Sequence, residues 1–158
     1  MTLPPPNSEA AVVLGRMEQT LQESFGLNDR RFPMGGTLKL LFVEDDKTTQ
    51  MMLMQLLKNE PVASSFASDA EQAVQLYCQS TPHIVFLDID LGKPVSGLNL
   101  LNLLVRYDPL VYPIMLTSHA THSEVSEAKN HHVKGYIVKP FTFKKLMETI
   151  HRYHNQPV

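Results

Sequence analysis

The sequence predicts an α/β fold, a doubly wound parallel sheet of five strands, on three observations. From Leu38 onward, short apolar runs alternate with helix-forming stretches five times over. The runs are close to continuously apolar, as in Ile84-Val85-Phe86-Leu87, which suits strands buried on both faces rather than one. Each run is separated from the next by enough residues for a crossover helix, and such βαβ connections are right-handed, forcing a parallel sheet between two helical layers.

Residues 1–36 form a separate extension. Pro4-Pro5-Pro6 is stiff and extended. Ser8 can cap a helix whose first turn carries Glu9. Val13, Met17, Leu21 and Phe25 recur every fourth residue, with Ala10 and Leu14 beside them, giving one apolar stripe on a helix that ends near Gly26. Gly15 weakens that helix by about 1 kcal/mol relative to Ala. Asn28 to Gly36, with Pro33 and Gly35-Gly36, reads as linker. A helix of this length is marginal alone. Residues 8–25 are therefore expected either to self-associate or to dock on the rest of the chain, with a symmetric homodimer slightly preferred.

The main domain is placed at 37–154, followed by a short tail at 155–158. Its first strand is Leu38–Val43. Thr48 to Lys58 is dense in helix formers and stops at Pro61; Val62–Ala67 is a shorter, less apolar strand. Ser68-Asp69 opens a helix carrying Ala73, Val74, Leu76 and Tyr77, which Thr81-Pro82 breaks before the strand His83–Asp88. A loop from Gly92 to Gly97 leads into a helix over Leu98–Tyr107. Then come a strand over Tyr112–Leu116, a polar helix over Thr121–Asn130, a strand over Val133–Val138 and a helix over Phe141–His154. Five such units in about 120 residues fit the flavodoxin-like strand order 2-1-3-4-5, in which the first and third strands flank the switch point where ligands bind.

Composition narrows the function classes. The chain has 158 residues, 43% of them hydrophobic, and a net charge of −2, which gives a real core and no bulk attraction to nucleic acid or membrane. No apolar run nears the roughly 20 residues that span a bilayer, and Met1-Thr2-Leu3-Pro4-Pro5-Pro6 lacks the regions of a signal peptide. The lone Cys78 cannot form an internal disulfide and sits among apolar neighbours as a small buried filler. A cytoplasmic protein is expected.

The strand ends carry chemistry. The first strand runs into Glu44-Asp45-Asp46, the third into Asp88, the fourth into Thr117-Ser118 and the fifth into Lys139-Pro140. The predicted topology gathers these ends in one crevice. Two unit charges 4 Å apart cost about 4 kcal/mol at an effective dielectric of 20, and a hard divalent cation removes that penalty. Mg²⁺ takes oxygen ligands and keeps several waters. Asp45 and Asp88 would bind it directly, Glu44 through water, and the backbone carbonyl of Asp90 would add an oxygen. Asp88 also has a free oxygen with which to attack phosphorus. Lys139 would offset charge on the phosphoryl oxygens, and Thr117 would donate a hydrogen bond to one of them.

In this order and on this pattern, Glu44, Asp45, Asp88, Thr117, Tyr136 and Lys139-Pro140-Phe141 resemble the receiver domain of two-component response regulators, over about residues 38–154. The resemblance implies that Asp88 is phosphorylated by a histidine kinase or phosphotransfer protein, with Mg²⁺ required. It implies a switch in which Thr117 moves toward the phosphoryl group and Tyr136 changes rotamer, altering the face made by the predicted helix at 121–130, the last strand and the last helix. It also implies a cis peptide at Lys139-Pro140. The loop Leu91 to Gly97 departs from the family pattern: it is about one residue longer and lacks an acid before Gly97. The resemblance also implies that Asp90 and His119, two positions after Asp88 and Thr117, occupy the positions that tune dephosphorylation. Beyond the last helix only Asn155 to Val158 remain, so output is expected through protein contact, without substrate turnover.

Other readings weigh less. Phe86-Leu87-Asp88-Ile89-Asp90 looks like the Asp-x-Asp of haloacid-dehalogenase-type phosphatases, but there the acidic pair follows the nucleophile, and here it precedes it. Flavin binding would place Ser, Thr or Gly, not Glu44-Asp45-Asp46, after the first strand. A purely scaffolding domain of this kind would be expected to lack some site residues. Asp46 alone is a helix cap. The His pairs at 119/122 and 151/154, and His131-His132, lack a carboxylate or Cys pattern and read as surface residues. Met51, Met52 and Met54 read as helix core and rim rather than a binding groove.

Overall fold

A computed structural model describes residues 5, 8–25, 37–92, 94–118 and 133–155. Among these, the elements in chain order are α1 (Glu9–Phe25), β1 (Leu38–Val43), α2 (Lys47–Leu57), β2 (Val62–Ala67), α3 (Ala70–Ser80), β3 (Ile84–Asp88), α4 (Gly97–Tyr107), β4 (Pro113–Thr117), β5 (Gly135–Val138) and α5 (Phe143–His154). The helix expected at 121–130, the linker, His119 and the last three residues lie outside the described residues. All predicted strands are present, with ends within two residues of expectation.

The five strands form one parallel sheet in the order β2-β1-β3-β4-β5, the flavodoxin-like arrangement. Alternation along each strand sorts side chains between two cores. Leu41, Val43, Val85, Leu87 and Met115 face α1, α3 and α4. Leu40, Phe42, Ile84, Phe86, Ile114, Leu116 and Ile137 face α2 and α5, where Phe42 stacks on Phe86 with ring centres 4.5 Å apart. Burial on both sides accounts for the continuous apolar runs. The less apolar β2 lies at one edge, where such a strand is tolerated.

Short polar side chains start the helices as the sequence predicts. Asp46, Asp69 and Ser96 each accept a hydrogen bond from a backbone N–H three residues on, at 3.2, 2.8 and 3.1 Å. Ser8 does the same for Ala11 at 3.2 Å, opening α1.

Two expectations are corrected. The apolar stripe of α1 is not left for a homodimer: Val13, Met17 and Leu21 are buried in the same cluster as Val74, Tyr77, Cys78, Leu101 and Leu104 of α3 and α4. The groove between α3 and α4 lies within reach of its own chain, and a tethered helix has a large effective concentration there. Nor are Met51, Met52 and Met54 core and rim. They are 68%, 39% and 47% exposed, because α2 turns Gln50, Leu53 and Leu57 inward instead. Cys78 is buried, as expected.

Two glycines should respond to alanine with opposite signs. Nothing lies within 4 Å of a Cβ at Gly15, which sits exposed within α1, so Gly15→Ala should stabilise by about 0.5–1 kcal/mol. At Gly97 a Cβ would lie 2.3 Å from the Asp88 carbonyl oxygen and 3.1 Å from Ile89 Cα, so backbone must move and Gly97→Ala should cost about 1–3 kcal/mol. Urea unfolding measures both; equal effects would contradict this packing.

Candidate functional site: an acidic cluster at the strand ends

Strand register builds the site. Val43 of β1 lies beside Leu87 of β3, and Asp88 beside Leu116 of β4. One step past Val43 is Glu44, whose N–H donates to the Ala67 carbonyl at 2.9 Å and so extends the ladder. Asp45 follows. In the same way the Lys139 N–H donates to the Thr117 carbonyl at 2.7 Å, bringing the end of β5 to the end of β4. Glu44, Asp88 and Thr117 are buried; Asp45 and Asp90 are exposed.

The charges meet. The Lys139 ammonium donates to Glu44 Oε1 and, at 3.2 Å, to Asp88 Oδ2. The other oxygen of Asp88, Oδ1, accepts the backbone N–H of Asp90 at 2.9 Å, which turns the chain sharply after β3. Burial pushes the Glu44 carboxyl up to about 7, and the neighbouring Asp88 adds to this while the Lys139 hydrogen bond pulls it back. For Lys139, burial lowers the pKa, but hydrogen bonding to Glu44 and the charges of Asp88 and Glu44 outweigh it, so the net shift is upward and the side chain stays cationic.

One carboxylate oxygen from each of Glu44, Asp45 and Asp88 lies within 4.8 Å of the others. Three hard oxygen donors facing one ammonium leave negative charge in excess, and this cluster could hold a metal ion. The residues therefore fit the divalent cation that the sequence implies.

The structure brings together Glu44, Asp45, Asp88 and Lys139. Thr117 ends β4 as predicted, and Tyr136 stands 48% exposed on β5. The Lys139-Pro140 peptide is cis. Two contributors went unnoticed in the sequence. Gln50 is buried and its Nε2 donates to the Glu44 carbonyl at 2.5 Å and to Ser68 Oγ at 3.2 Å, so it holds the acidic turn in place. The available signal was a polar residue on the inward face of α2. Gly97 is the other: it lets α4 begin against the Asp88 backbone.

Comparisons with known proteins agree with this geometry. The model of the response regulator receiver domain matches residues 40–151. The chain is 32% identical over 116 residues to protein CcdB of Bacillus subtilis, covering 72% of this chain and 95% of that protein. It is 28% identical over 109 residues to the nitrogen assimilation regulatory protein NtrX of Azorhizobium caulinodans, covering 68% of this chain and spanning only 24% of that protein's length. Among solved structures, the signal receiver domain of an HD domain-containing protein from Pseudomonas fluorescens superposes with a TM-score of 0.70 at 25% identity, covering 76% of this chain and 99% of that one. No helix among the described residues is long and apolar enough to cross a membrane. The chain belongs to the response regulator receiver domain family of two-component signalling.

Proposed function

We propose that Asp88 accepts a phosphoryl group from a histidine kinase or a histidine phosphotransfer protein. The observation that carries this reading is the placement of Asp88 at the end of β3, beside the Glu44-Asp45 pair and the Lys139 ammonium. An Asp88 oxygen attacks phosphorus; the P–N bond to the donor imidazole breaks as the P–O bond forms, and the electron pair leaves with the nitrogen. Lys139 stays beside the reacting oxygens and offsets charge on them, and the Thr117 hydroxyl donates to one. Glu44, Asp45, Asp88 and the Asp90 carbonyl would hold Mg²⁺. Bound there, Mg²⁺ supplies neutralising charge for the clustered carboxylates and the phosphoryl oxygens.

Thr117 and Tyr136 carry the change of state to a face that includes β5 and α5, where a target protein docks. The domain acts in the cytoplasm as a switch that is modified once and releases phosphate slowly, not as an enzyme that turns over a substrate. Incubation with acetyl phosphate and Mg²⁺ should add a single phosphoryl group by intact mass, and Asp88→Asn should abolish it. An adduct that persists in that variant, or steady hydrolysis of phosphate esters, refutes the reading.

A further inference from the structure

We propose that α1 is a clasp whose seating on α3 and α4 opposes phosphorylation of Asp88, each state weakening the other through α4. The inference rests on Asp88 as the phosphoryl acceptor.

The first observation is what α1 grips. Its apolar side is spent inward, with Val13, Met17 and Leu21 at 6%, 1% and 0% exposure. Its polar side reaches across two helices. Arg16 forms a two-point ion pair with Glu71 in the first turn of α3, at 2.7 and 3.0 Å. On α4 it holds the opposite end: Arg106 donates to Glu18 at 3.2 Å, and Gln22 donates to the Tyr107 hydroxyl at 3.1 Å. The last turn of α4 is therefore fixed to α1.

The second observation is where α4 begins. Gly97 approaches the Asp88 carbonyl so closely that even a methyl group would collide with it. An α-helix of 11 residues is a rod about 16 Å long. One end of this rod rests on the backbone of the acceptor residue and the other on α1. The loop between them is tied to the same core: Leu91 and Val95 are buried in the cluster that contains Val13, Met17 and Leu21.

The third is what phosphorylation must disturb. Asp88 Oδ1 accepts from the Asp90 N–H and Oδ2 accepts from Lys139. A phosphoryl group on either oxygen displaces one of these contacts, and its added negative charge and bulk fall at the turn that leads to Leu91. Close-packed cores respond by moving between discrete arrangements rather than by yielding smoothly. The turn and α1 share one cluster, Leu91 and Val95 packing with Val13, Met17 and Leu21, so a shift of the turn is felt at α1. Of the elements sharing this cluster, α1 is outermost, with Glu9, Val12, Arg16, Gln19 and Glu23 facing solvent, so α1 is the one that gives way. Coupling of this kind is reciprocal: what loosens α1 also favours the modified site.

Hydrogen exchange on the full chain tests this, with beryllofluoride and Mg²⁺ as the phosphoryl mimic. Peptides over 88–92 should be slowed, reporting occupancy, while peptides within 9–25 should exchange about fivefold faster or more. Asp88→Asn should show neither change. By reciprocity, Arg16→Ala combined with Glu18→Ala removes two exposed ion pairs without touching the core. It should lower the beryllofluoride needed for half occupancy about twofold or more. Slowing at 88–92 with α1 unchanged or slower overturns the clasp and leaves the acceptor role standing, as does an unchanged midpoint in the double variant. Absence of both occupancy and an acetyl phosphate adduct overturns both readings.

Discussion

Stripped of divalent cations, the protein should lose up to about 3 kcal/mol of stability as pH rises from 4.5 to about 7, through Glu44 alone. Burial raises this carboxyl from 4.5 to about 7 in the folded chain. Between those values the folded state holds a proton that the unfolded state has released, so the contribution is full below pH 4.5 and is lost as pH rises through about 7. The hydrogen bond from Lys139 limits the effect and keeps the ionised form tolerable. Urea unfolding in a chelator at stepped pH, compared with Glu44→Gln, isolates the contribution: the difference between the two proteins should shrink to nothing at low pH and change monotonically up to neutrality. Added Mg²⁺ should restore stability most above pH 7, where no proton competes for the carboxylate. A difference that is flat across this range would mean that Glu44 titrates as an ordinary surface acid.

Leu21→Ala should cost about 2–5 kcal/mol although it lies in an extension outside the matched family region. Its side chain is fully buried between α1 and the helices below, and truncation leaves a cavity that a helix held by Arg16, Glu18 and Gln22 cannot readily collapse. Val12→Ala, nine residues earlier on the opposite face and 52% exposed, should change stability by less than about 0.5 kcal/mol. Thermal or urea unfolding of the two variants decides it. Equal, small losses would show that α1 contributes nothing to the core.

Much of the fold was legible because its signals are local. Continuous apolar runs such as Ile84 to Leu87 mark strands covered on both sides, and Asp46, Asp69 and Ser96 mark helix starts through hydrogen bonds to residues three positions away. The acidic cluster was legible because topology converts position at a strand end into proximity. What escaped depends on partners distant in sequence. A stripe such as Val13-Met17-Leu21 says that something apolar covers it, not whether that cover is a second chain or α3 and α4. Met51 and Met54 could not be placed because methionine is accepted inside and outside alike, and the inward face of α2 is set by Gln50, Leu53 and Leu57. The close approach of Gly97 to Asp88 is invisible until the loop between them is folded. The cis peptide at Lys139-Pro140 came only from the family resemblance, since proline alone favours trans.

The outward turn of α2 also sets the order in which the protein ages chemically. A thioether is oxidised where peroxide can reach it, and sulfoxide formation makes an apolar side chain polar. Met51, Met52 and Met54 offer sulfur at a surface where added polarity disrupts no packing, whereas Met17 and Met115 are 1% exposed each. Among the described methionines, mild oxidation therefore marks α2 first and leaves both cores intact, so an oxidised sample can retain its fold while the outer face of α2 has changed from greasy to wet.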